Sequence, residues 1–106
     1  MFVAMNRISC QPDYVARFEE LFRTRAAEVD TMPGFQSFHL LRPLKDDQPY
    51  IVMTFWDKRQ DFENWMKSGQ FTRGHSRGFA DMDAARREGN PAPVKSLMEL
   101  YEDCAE

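Results

Sequence analysis

Residues 50–56 read YIVMTFW, a run of β-branched and aromatic side chains and the clearest strand in the chain. Successive side chains of a strand point to opposite faces. Ile51, Met53 and Phe55 therefore share one face, and Tyr50, Val52 and Trp56 share the other. Both faces are apolar. One layer of helices covers only one face of a sheet, so the other needs a cover of its own. A second sheet from a partner subunit supplies it, and the expectation is a symmetric homodimer.

The rest of the chain supplies the elements around that strand. Residues 2–9, FVAMNRIS, alternate as a strand, with Phe2, Ala4, Asn6 and Ile8 on one face and Val3, Met5, Arg7 and Ser9 on the other. Pro12 suits the first turn of a helix, with Asp13 near the positive end of its dipole. The apolar spacing of Tyr14, Val15, Phe18, Leu21, Phe22, Ala26 and Val29 predicts that this helix runs to about Asp30. Pro33-Gly34 ends it. Residues 35–42 read as a second strand, and 45–49, KDDQP, as a polar turn. Asp57 is the expected cap of the next helix, with Gln60 at the capping-box position. That helix carries Phe62, Trp65 and Met66 and weakens at Ser68-Gly69; a second helical stretch covers about 70–87. Residues 88–93, EGNPAP, form a loop, and 94–102 the last strand. The order is β-α-β-β-α(α)-β. It predicts an α+β fold, a ferredoxin-like unit with an antiparallel sheet and helices on one face.

A chain of 106 residues makes one domain, 1–106, without repeat, linker or low-complexity segment. A core of this size buries about two-thirds of the unfolded surface. Fourteen aromatics and seven methionines exceed what it needs, and point to a pocket or an interface. The net charge of −3, without a basic block, argues against a nucleic-acid binder. No apolar run approaches a membrane span, and the first residues lack the pattern of a secretory signal. Cys10 and Cys104 fit no CxxC pattern and read as free thiols in a cytoplasmic protein.

Three residues raise chemical questions. Asn6 sets an amide on an apolar strand face, which costs energy unless it finds partners. It is either bonded to nearby backbone or aimed into a cavity. Trp65 shares a helical stripe with Phe62 and Met66 and is either core or a rigid wall against a planar ligand. His75 lies with Phe71, Gly78, Phe79 and Met82 at helical spacings, with Gly74 and Gly78 beside it. Each glycine costs a helix about 1 kcal/mol relative to alanine, so the pair suggests close approach by something flat. The imidazole is either packed at a helix edge or a ligand to a metal. Arg73, Arg77, Arg86 and Arg87 make the region positive, either as a solvated face or as partners for carboxylates. His39 has no ligand set near it in sequence. No HExxH, Cys/His zinc spacing, P-loop, GxGxxG or GxSxG motif occurs. A flavin or nicotinamide domain does not fit in this length, so electrons for any redox reaction come from outside.

With these residues in place the chain resembles the IsdG-type heme-degrading monooxygenases, within the antibiotic-biosynthesis-monooxygenase-like dimeric α+β barrels. The likeness is strongest at MNRI (5–8), MPGF (32–35), FW (55–56) and NWMKSGQFTRGH (64–75). The PGF and FW features mark the wider superfamily; the trio Asn6, Trp65 and His75 is the specific signal. The resemblance implies that His75 ligates heme iron through a neutral imidazole nitrogen. It implies that Asn6 faces the oxygen side and that Trp65 crowds the macrocycle out of plane. Heme is then both cofactor and substrate, iron and a linear tetrapyrrole are released, and an external donor supplies electrons. Segment 78–93 is not aligned with the family pattern, and no propionate-binding residue is carried over. Three other readings stand beside this one: a cofactor-free monooxygenase acting on a small aromatic, a heme-binding protein without turnover, and a barrel with a structural role.

Overall fold

The computed structural model describes residues 1–105. Strand β1 (Phe2–Cys10) leads through a 3-10 turn (Pro12–Tyr14) into helix α1 (Val15–Arg23). A second 3-10 turn (Glu28–Thr31) precedes β2 (Phe35–Leu41) and β3 (Tyr50–Trp56). Helices α2 (Arg59–Met66) and α3 (Gly69–Arg87) follow, and β4 (Val94–Glu102) closes the order. The four strands form one antiparallel sheet in the order β2-β3-β1-β4. This is the ferredoxin-like unit the sequence predicts.

Register puts Phe2 opposite Trp56, Ala4 opposite Thr54 and Ile8 opposite Tyr50. These residues form the helix-covered face. The indole N–H of buried Trp56 donates to Thr54 Oγ1 at 2.9 Å, so the two polar groups of this core satisfy each other. The core divides into two clusters. One joins Phe2, Ala4, Val29, Trp56, Phe62 and Trp65; the other joins Ile8, Phe18 and Tyr50. Along β1, Asn6 falls between Ala4 of the first cluster and Ile8 of the second.

Two sequence expectations need correction. The helix expected over 12–30 is broken. It ends at Arg23, and Ala27 adopts the left-handed region at φ 55° before Val29 enters the core from a 3-10 turn. The break is tertiary in origin. Arg77, on α3, donates to the carbonyl oxygens of Leu21 and Thr24 and to Thr24 Oγ1, each within 3.1 Å. These bonds satisfy acceptors that a continuing helix would have used. The second correction concerns α2, where Lys58, not Asp57, holds the capping position. Asp57 is engaged with the β2 entry instead: its N–H donates to the Gly34 carbonyl at 2.8 Å, and its carboxylate accepts from Gln36. Gly34 has φ 82°, and a Cβ there would lie 2.1 Å from the Asp61 carboxylate. The Pro33-Gly34 turn therefore requires its glycine twice over, for conformation and for space.

Candidate functional site

Helices α2 and α3 meet at Ser68. Its hydroxyl donates to the Trp65 carbonyl at 2.7 Å and accepts from the Phe71 N–H at 3.1 Å. One side chain thus ends the helix that carries Trp65 and caps the helix that carries His75. The junction brings four rings together. Trp65 lies 5.3 Å from Phe71 and 6.0 Å from His75, centroid to centroid. His75 stacks on Phe71 at 4.1 Å and on Phe79 at 5.5 Å.

His75 Nδ1 lies 2.7 Å from the Phe71 carbonyl oxygen. A carbonyl only accepts, so Nδ1 carries the proton. In the neutral ring Nε2 is then a free lone pair. The side chain is exposed, so that lone pair is reachable. Metal-ligating histidines are arranged in this way, with the second ring nitrogen donating to a carbonyl or carboxylate. Among the described residues, no three His, Cys, Asp or Glu side chains converge to hold an ion. An ion held at His75 would therefore need its other ligands from outside these side chains.

The surface of α3 divides into two stripes. Gly74 faces Glu28 and the Trp65 ring, Gly78 faces Leu21, and Asp81 accepts from Tyr14 at 2.6 Å and Arg17 at 2.9 Å. This stripe packs α3 onto α1 and the Glu28–Thr31 turn. Gly74 and Gly78 lie on this packed stripe, but a Cβ at either would meet its neighbours at ordinary contact distance, 3.6 Å or more, so helix packing does not demand glycine there. His75, Phe79, Met82 and Arg86 follow at i, i+4, i+7 and i+11 and share the other stripe. Phe79 is 47% exposed and Met82 39%. On β4, Met98 and Leu100 lie beside Asn6 and Ala4 in the register and are exposed as well. An uncovered apolar stripe on the helix and another on the sheet suit a flat, largely apolar ligand.

Of the three predicted site residues, the structure brings His75 and Trp65 together. Trp65 is only 7% exposed and belongs to the core cluster, so it supports the imidazole from below. Asn6 lies apart from them on β1 of the sheet, paired in register with Val52 and Met98. Its Oδ1 is buried and has no hydrogen-bond partner. An orphaned amide oxygen on the helix-facing side of the sheet fits a polar ligand atom arriving there. His39 stands apart, edge-on to Phe55 on the opposite face of the sheet. Sequence reasoning missed the Phe71 carbonyl as the partner of His75, although the i−4 spacing contains it. It also missed Ser68 as the joint between the two helices.

Residues 1–77 match the family described as antibiotic biosynthesis monooxygenase. The chain belongs to that family. Among curated relatives in it, a heme oxygenase (mycobilin-producing) of Mycobacterium tuberculosis is 36% identical over 63 residues, 59% of this chain. The chain spans 60% of that relative's length. A heme oxygenase (staphylobilin-producing) of Staphylococcus epidermidis is 30% identical over 77 residues, covering 71% of this chain and 73% of its own. Among solved structures, the heme-degrader MhuD from Mycobacterium tuberculosis, with two hemes bound in its active site, superposes with a TM-score of 0.69. It is 27% identical over 100% of this chain and 98% of that one. Antibiotic biosynthesis monooxygenase family membership accounts for the fold. The ring cluster and the orphaned amide concern the chemistry. No described helix is long and apolar enough to cross a membrane, and both cysteines are free.

Proposed function

We propose that this chain is a heme-degrading monooxygenase that works as a homodimer with an external electron donor. The observation that carries the reading is the His75 tautomer, with Nδ1–H donated to Phe71 and Nε2 left open. The orphaned Asn6 oxygen and the apolar stripes of α3 and β4 support it. Bound heme would supply iron to hold O2 and a ring carbon to be oxidised; electrons from outside complete the reaction, which releases iron and a linear tetrapyrrole.

The chain's own residues bind, orient and shield. His75 would hold the iron through Nε2, and the stacked Phe71 and Phe79 rings restrain the imidazole. Trp65, in the core beneath the imidazole, would fix the floor on which the macrocycle is held. Asn6 would offer its unpaired amide end to a polar atom of the bound ligand. A half-turn of that amide exchanges acceptor for donor, so one residue serves either partner.

Hemin titration tests the reading. The apo-protein should give a saturable Soret band that His75→Ala abolishes or shifts. A wild type without such a band would overturn the heme reading and leave the cofactor-free monooxygenase. Incubation of the complex with ascorbate in air separates enzyme from carrier. Soret decay with iron release is expected, and an unchanged spectrum would show binding without turnover. Trp65→Ala should slow the decay more than it weakens binding.

A further inference from the structure

Four arginines flank His75 in sequence, and the structure gives them different work. Arg73 pairs with Glu28 at 3.2 Å, and Arg77 is spent on carbonyls of α1 and the turn after it. Both belong to the packing stripe. Arg87 pairs with Asp83 at 3.2 Å. Arg86 alone shares the stripe of His75, Phe79 and Met82. It lines an open recess of about 560 Å³ together with Met82, Asp83, Gly89, Asn90 and Ala92.

The end of α3 fixes that recess. Gly89, at φ 75°, donates its N–H to the Arg86 carbonyl at 3.2 Å, and Asn90 N–H donates to the Ala85 carbonyl at 2.9 Å. This pair of bonds is the Schellman termination. It folds residues 88–93 back over the helix end, so the recess has a set shape. Eleven residues along an α-helix advance about 16 Å. Helical side chains lean toward the N-terminus, and the Arg86 guanidinium meets Asp83, about one turn nearer His75. That distance suits a flat ligand centred on the imidazole and carrying its acidic arms at one edge.

Arg86 at present pairs with Asp83, and the ordinary meaning of such a pair is a solvated helix end. Two details argue for more. Asp83 is held by Arg87 as well, so Arg86 can leave without orphaning the carboxylate. The side chain is 75% exposed, so little holds it in place. Glu88, the other acid nearby, is engaged by the Asn90 amide at 3.3 Å.

We propose that Arg86 binds a carboxylate arm of the heme, exchanging Asp83 for it and setting which way round the macrocycle lies. The proposal rests on the heme reading above. Two probes distinguish the failures: hemin, and its dimethyl ester, which keeps the ring and iron and lacks the charge. Wild type should bind both through His75. Arg86→Ala should weaken hemin binding about fivefold, the worth of one exposed charge pair, and leave the ester and the Soret position unchanged. Asp83→Asn, which frees Arg86, should tighten hemin alone. Equal losses for both ligands in Arg86→Ala, or no loss for either, would overturn the proposal while the heme reading stood. A wild type that binds neither ligand would overturn both. Far-UV circular dichroism of Arg86→Ala should match wild type, because the side chain is outside both core clusters.

Discussion

Asn6 occupies a position that a leucine of similar size would stabilise. Its Oδ1 is buried without a partner, between the two core clusters. A buried acceptor left unsatisfied costs about 1–3 kcal/mol. Asn6→Leu should therefore raise the stability of the ligand-free protein by about 1 kcal/mol, read as a higher urea midpoint at an unchanged slope. The same variant should bind hemin through His75 and degrade it slowly. A more stable but less active protein is the signature of a polar group kept for function. A lower midpoint would show that the amide oxygen is already paired in the folded chain, and the functional reading of Asn6 would lose its ground.

At the scale of elements, one carboxylate ties α1 to the sheet. Glu19 accepts from Arg42, just past β2, at 2.9 Å, and from the Tyr50 hydroxyl at the start of β3. Hydrogen bonding to Arg42 first, and to Tyr50 second, holds its carboxyl down to about 2 from an ordinary 4.5. A depressed acid contributes stability that is complete above the ordinary value and is lost as pH falls through the folded one. Glu19→Gln should thus cost up to about 1 kcal/mol at pH 7. The cost should hold steady down to pH near 4.5 and shrink toward pH 2. Urea unfolding followed by tryptophan fluorescence from pH 7 to pH 3 checks this. A difference that did not shrink at the acid end would assign the effect to packing, not charge. The strands and their order were legible in sequence because the period of two is local and strong, as in YIVMTFW. The break in the first helix was not, since its cause is Arg77, more than fifty positions away. Asp57 misled for a related reason: its carboxylate answers Gln36 across the turn, not the helix ahead of it. In the site, Asn6 and His75 were legible as polar residues on apolar stripes. Their roles in space were not. The His75 tautomer depends on a carbonyl one turn back, which no pattern of apolar residues reports.

At the scale of the whole molecule, the sheet has one face covered and one open. The open face carries the half-buried Met5, Ile51, Met53 and Phe55 at its centre, and at its edges Leu97, 60% exposed, and Tyr101, 48% exposed. Among them sits the ion pair of Arg7 with Glu99. An apolar patch with one charge pair inside it is characteristic of an interface. The same patch on a second copy is its natural complement, because a two-fold axis sets each surface against itself. Sheet on sheet would then enclose the side chains that the helices leave bare, an arrangement that suits YIVMTFW, apolar on both sides. Met53 lies opposite Met5 at the middle of this face, so a charge there would be buried against the second copy. Met53→Lys should turn a dimer into a monomer in light scattering at micromolar concentration. Leu44→Lys, in a loop and 95% exposed, should leave the dimer intact. A monomeric wild type would overturn the interface, as would a dimer that survives Met53→Lys. The site itself lies on the helix side of the sheet, so a monomeric variant that still folds should keep its Soret titration. A dimer of this kind would steady the sheet that carries Asn6, while the proposed ligand contacts would all come from a single chain.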